Sequence, residues 1–213
     1  PLKETWEMTA AEREGVAEYR LQFISDYIDV SREQIFTADH HTCHAYYAYY
    51  VSHYRDRDCI VVTLDGWGDG RNQTVWKVSN NNFELIAESA ENDIGRIYKF
   101  ATFLLGMRPD HHEYKVMGLA AYAKKSYIKK ALKVLEDICM VEDMCIVSKD
   151  RPEDLYTYLK KCWELDRFDN IAGAVQEFSE QIATEIFRNI AIHSGINRFV
   201  FSGGISMNVK INK

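Results

Sequence analysis

The sequence predicts an α/β fold, and three observations carry that prediction. Residues 59–64 (CIVVTL) form a nearly continuous apolar run, rich in β-branched side chains, that ends in Asp-Gly. That is the pattern of a buried strand with its working end at the carboxyl side. Two further strand-like segments flank an asparagine-rich turn at residues 80–82, which makes a three-stranded antiparallel meander. Finally, Ile171, Val175, Phe178, Ile182, Ile186 and Ile190 lie on one helical stripe that ends at Gly195, and NRFVFSGGISMN then gives a strand running into a double glycine.

In chain order, Val16, Tyr19, Phe23, Ile24 and Tyr27 within residues 9–29 fall at helical spacing and predict a surface helix. QIFTADHH predicts a short strand and a turn, with Asp39 able to cap the next helix, over residues 40–54. The meander follows. GRIYKFATFLLG, from Gly95 to Gly106, is helical and aromatic, and YKVMGLAAYA gives a second, shorter helical piece after Pro109. Helical segments are expected over residues 127–165, with loop near 150–152, and then the long stripe and the last strand. Strand, Asp-Gly turn, two strands, helices, strand and Gly-Gly is the order of one lobe of a ribonuclease-H-like nucleotide-binding fold. Glycine turns at strand ends there let backbone N–H groups approach phosphate or ribose.

The 213 residues suffice for one large domain or two small ones, and an apolar fraction of 46% can fill a core. A net charge of −6 argues against a surface that coats a polyanion. The basic cluster at residues 124–133 reads as the solvated side of a helix whose apolar face is Ile128, Leu132, Leu135 and Ile138. Nucleic acid is therefore not an expected partner. Five cysteines, with no C-x-x-C pair and no secretory signal ahead of them, fit reduced thiols in a cytoplasm. No apolar run approaches the length needed to span a bilayer.

The chemistry concentrates in TADHHTCHAYYAYYVSHY. Positions four apart on a helix differ by about 40° around the axis and about 6 Å along it, so His40 and His44 can address one cation while His41 points away. Such a pair suits Zn²⁺ or Fe²⁺ but needs a further ligand. Asp65, at the carboxyl end of the central strand, can supply it; an Asx-type turn is the plain alternative. Gly66, Gly68, Asp69 and Gly70 give DGWGDG the freedom of a phosphate loop or of a tight hairpin. Gly203 and Gly204 could let a nucleotide lie against backbone, with Asn208 available for hydrogen bonds. Lys115, a lone cation among apolar residues, could meet a phosphate or carbonyl, or simply snorkel. His111 and His112 read as surface loop. There is no G-x-S-x-G elbow and no Walker A motif.

Together, HHTCHAYYAYYVS, TLDGWGDG, IGRIYKFATFLLG, EYKVMGLAAYA and FSGGISMN resemble, in order, the motifs of the nodulation-type (NodU/CmcH) O-carbamoyltransferases over about residues 38–212. The resemblance implies an actin-like, Hsp70-like ATPase (ASKHA) fold, incomplete here at both ends. It implies conversion of carbamoyl phosphate and ATP to carbamoyl adenylate by a YrdC-like domain elsewhere in the chain. The carbamoyl group then passes to a hydroxyl of a sugar, nodulation factor or antibiotic. By motif, His40, His44 and Asp65 would bind iron, with zinc as the other candidate. Gly66, Gly68 and Asp69 would lie by the phosphate, Lys115 by the acyl group, and Gly203, Gly204 and Asn208 by the adenosine.

The departures from the family pattern are specific. The opening strands and the YrdC-like domain have no counterpart, a fourth metal ligand is expected beyond the last residue, and Ala123 stands where glycine is usual. The expectation is therefore a fragment, 1–57 closing a first lobe and 58–213 forming most of a second, inactive alone. The alternatives are an idle nucleotide- or metal-binding module of the same fold and a sugar-kinase-like phosphotransferase. The phosphotransferase would want a general-base Asp and no His pair.

Overall fold

β-Branched side chains at residues 59–64 favour a strand, and a strand that is apolar without alternation must be covered on both faces. In the computed structural model, which describes residues 8–213, that strand is β1 (Cys59–Gly68). It pairs with β2 (Arg71–Ser79), which pairs with β3 (Asn82–Ser89), both antiparallel. The last strand, β6 (Phe199–Ser202), lies parallel to β1 on its other side, giving the order β3-β2-β1-β6. Both hairpin turns place two consecutive residues at positive φ, Asp69 with Gly70 and Asn80 with Asn81. The asparagine turn and meander are as the sequence predicts, because Asn tolerates the left-handed region that such turns require.

A parallel neighbour demands a crossover, and helices supply it. The helices are α3 (Ile94–Leu104), α4 (Glu113–Leu119), α5 (Lys129–Glu136), α6 (Leu155–Cys162) and the long α7 (Phe168–Ser194), which closes on Gly195 in the left-handed region. Ile60, Val62 and Leu64 of β1 join these helices in the larger core. Cys59 and Val61 face the other way, against α2 (His40–Val51) with its Ala45, Ala48 and Tyr49. All five strand residues are fully buried.

Two expectations change. Residues 35–39 have no regular structure where the sequence predicts a short strand; Phe36 is 91% exposed, and among the described residues no strand pairs with it. Residues 127–165 are not all helix either: β4 (Cys139–Glu142) and β5 (Cys145–Ser148) form a hairpin turning at Asp143, whose φ is 50°. Its signal is the alternation of buried Cys139 and Val141 with exposed Met140 and Glu142. Tertiary bonds then fix it, since the Gln73 side chain donates to the Met144 carbonyl and accepts from the Ile146 N–H, each at 2.8 Å. Ala123 needs no glycine freedom: it is extended, at φ −72° and ψ 143°.

The chain separates into two compact units, one ending at Asp39 and one spanning His40–Lys213. The boundary expected at 57/58 is a different division from this one, and residues 1–7 of its first segment lie outside the described residues. In the first unit, α1 (Ala10–Ile28) starts on a reciprocal Thr9 and Glu12 capping box and ends at Asp29 in the left-handed region. Its predicted stripe is largely exposed, Tyr19 at 71% and Tyr27 at 79%. Among the described residues, no helix is long and apolar enough to cross a membrane.

Candidate metal centre

Because β1 and β6 are parallel neighbours, their carboxyl ends lie at one edge of the sheet, where α/β ligand sites gather. The first turn of α2 is held against this edge by His41, which the sequence reading set aside. The His41 ring is fully buried. Its Nε2 is 3.1 Å from the Arg71 carbonyl oxygen, which can only accept, so Nε2 carries the hydrogen. Nδ1 then accepts from Thr63 Oγ1 at 2.6 Å, Thr63 from Thr74 Oγ1 at 2.6 Å, and Thr74 from Trp76 Nε1–H at 2.8 Å. This chain of donors is complete and runs one way.

With His41 turned into the sheet, His40 and His44 project together at the sheet edge. His40 Nε2 is 2.8 Å and His44 Nε2 is 3.0 Å from the same Asp65 oxygen, Oδ2, and the two nitrogens are 3.1 Å apart. The other Asp65 oxygen accepts the Gly66 N–H at 2.7 Å. Burial pushes the Asp65 carboxyl up, but hydrogen bonds from His40 and Gly66 and the charge of the two imidazoles hold it below the usual carboxylate range. It is therefore anionic at neutral pH.

The triangle is crowded for hydrogen bonds alone. Two Nε2–H groups can both donate to Asp65 Oδ2 only with their nitrogens 3.1 Å apart. If one nitrogen carries no hydrogen, its contact with the carboxylate oxygen joins two acceptors. Three donor atoms converging on one point suit a cation, and these are the only three-residue cluster of that kind among the described residues. Ligands about 2.1 Å from a shared ion and at right angles to one another stand about 3.0 Å apart. The observed separations are of that order, so the three atoms could share one ion. The side chains keep 39%, 31% and 20% of their surface exposed, so the site opens to one side.

The other expected residues divide. Gly68 is a seat for His40: a Cβ there would lie 2.2 Å from His40 Cδ2. Asp69 turns its carboxylate to the α2 terminus, accepting the His40 N–H at 2.7 Å. Gly203, at φ 93°, passes so close to Leu64 that a Cβ would meet its carbonyl oxygen at 2.3 Å, and one on Gly204 would meet Asp65 Oδ1 at 2.9 Å. Both glycines thus lie beside the cluster, and Gly66 faces open space. Asn208 is fully used elsewhere. It donates to Tyr98 Oη and Gln176 Oε1, and accepts from Gln176 Nε2 and the N–H groups of Lys210 and Ile211. Lys115 is exposed on α4, its Nζ 5.8 Å from the Tyr114 ring, and is not part of the cluster. The cation that the structure brings to the Gly66 and Trp67 stretch is Arg96, over the Trp67 ring at 5.1 Å. It shares the buried Asp93 with Arg151. Sequence reasoning missed Arg96 because it reads as one polar position in an aromatic helix.

An α/β sheet carrying an open two-histidine, one-carboxylate cluster at its carboxyl edge has the donor set of a candidate metal-binding site. The model of one family, the carbamoyltransferase N-terminus, matches residues 8–213, and the chain belongs to that family. The uncharacterized protein MJ1058 of Methanocaldococcus jannaschii is 29% identical over 203 residues, covering 86% of this chain and 33% of that protein. MJ1051 of the same organism is 26% identical, over 81% of this chain and 34% of its own length. The uncharacterized protein sll1178 of Synechocystis is 22% identical, over 82% and 31%. The chain therefore spans about a third of the length of the curated relatives it matches.

Proposed function

We propose that this chain supplies the metal-bearing part of an ATP-dependent O-carbamoyltransferase of NodU/CmcH type with an ASKHA fold. The overall reaction takes a carbamoyl group from carbamoyl phosphate, through carbamoyl adenylate, to a hydroxyl of a small acceptor such as a sugar. The observation that carries the reading is the convergence of His40 Nε2, His44 Nε2 and Asp65 Oδ2 on one point at the sheet edge. It is supported by the family match over residues 8–213. Two imidazoles and one carboxylate suit Fe²⁺ or Zn²⁺.

A divalent cation held by these three residues would polarise the carbamoyl carbonyl or anchor phosphate oxygens as a Lewis acid. Asp65 is ionised and brings one negative charge to the ligand set. Gly66 leaves open space beside the cluster, where a nucleotide could approach backbone, while Gly203 and Gly204 pack closely on Leu64 and Asp65. In the transfer, the acceptor oxygen bonds to the carbamoyl carbon as that carbon's bond to the phosphate oxygen breaks. AMP leaves and the hydroxyl proton passes to solvent. Lys115, exposed on α4, is a weaker candidate for the acyl group than Arg96.

The test is ATP- and carbamoyl-phosphate-dependent carbamoylation by the protein that contains this chain, purified without oxygen. His40→Ala with His44→Ala is expected to abolish transfer; a double variant with unchanged turnover would remove the assignment.

A further inference from the structure

A histidine that binds metal through Nε2 must carry its hydrogen on Nδ1, and the partner of that hydrogen sets the tautomer. For His44 the partner comes from another strand. Ser202, the last residue of β6, places Oγ 3.4 Å from His44 Nδ1. We propose that Ser202 is the positioning residue of the metal centre: its hydroxyl oxygen accepts the His44 Nδ1–H, which leaves the Nε2 lone pair facing Asp65 and His40. The inference rests on the metal reading above and adds to it the group that selects the ligating nitrogen.

The register makes the placement specific. Ser202 is paired with Thr63 across the parallel β1 and β6. Thr63 in turn binds the His41 ring, so neighbouring hydroxyls on two strands orient two histidines of one helix in opposite senses. Thr63 donates to Nδ1 of His41, which keeps its hydrogen on Nε2 against the Arg71 carbonyl. Ser202 accepts from Nδ1 of His44, whose Nε2 is thereby left bare. Two imidazoles three residues apart are set to opposite tautomers, one for structure and one for ligation. Ser202 is half-buried and directly precedes Gly203, whose close approach to Leu64 fixes where the end of β6 lies.

The test is titration of the protein that contains this chain with Co²⁺ under anaerobic conditions, read by visible absorption, with long-range ¹H–¹⁵N spectra of the imidazoles recorded alongside. Ser202→Ala is expected to weaken Co²⁺ by about 10- to 100-fold and to remove the Nδ1–H signature of His44. Ser202→Thr keeps the oxygen on a residue that suits a strand and is expected to bind as the wild type does. Unchanged affinity in Ser202→Ala overturns the proposal while leaving the metal site standing. Equal weakening in both variants also overturns it, because packing rather than the hydroxyl would then be responsible. A wild-type protein that gives no Co²⁺ spectrum overturns the metal reading itself, and this proposal with it.

Discussion

Gly66 and Gly68 stand two positions apart on β1 and have opposite constraints. A Cβ on Gly66 meets nothing within 4 Å, whereas one on Gly68 would penetrate the His40 ring. Gly68→Ala is therefore expected to displace His40, costing about 1–3 kcal/mol in a urea melt and most of the cation affinity. Gly66→Ala should leave both nearly unchanged. The sequence showed that DGWGDG needs glycines without showing what for, because a phosphate and an imidazole both require a bare Cα. The cysteines separate at this scale too. Burial pushes the Cys59 thiol up to about 11 and the Cys139 thiol up to about 12, while Cys43 is exposed. A thiol reagent near pH 8 should label Cys43 quickly and leave Cys59 and Cys139 unlabelled until unfolding, as mass spectrometry of the digested protein would report.

At the level of elements, α2 is the part that brings the site together. Its spacing showed in advance that His40 and His44 share a face and that the residues from Tyr46 onward form its body. What the spacing could not show is the function of His41, because a buried imidazole is recognisable only by partners that lie on other strands. Thr63→Val removes the donor to His41 Nδ1 and strands Thr74 as well. It is expected to destabilise the protein by about 1–3 kcal/mol in denaturant unfolding and to accelerate amide exchange in the first turn of α2. A variant with wild-type stability and exchange would show that the hydroxyl chain does not anchor the helix. The hairpin of β4 and β5 was hidden for a related reason: a four-residue strand carries too little alternation to outweigh helix-favouring neighbours. Its Gln73 clamp joins residues that are remote in sequence.

Over the whole molecule, the meander, the long α7 and the strand running into Gly203 were all readable, since each is dictated by local periodicity and turn chemistry. The cluster was readable as far as its three side chains, because the helical spacing of two histidines and a carboxylate at a strand end are local features. The second layer around it was not. Ser202, Gly68 and Asp69 act on the histidines through contacts across the sheet, and Asn208, which looked available, is consumed by Tyr98 and Gln176. The account as a whole depends on one cation lying between His40, His44 and Asp65. The direct measurement is the metal content of protein purified without oxygen, by plasma mass spectrometry, for the wild type and for His40→Ala with His44→Ala. Iron or zinc in the wild type, with a clear loss in the double variant, is the expected result. Equal metal in both, or none in the wild type even after incubation with Fe²⁺, would contradict it.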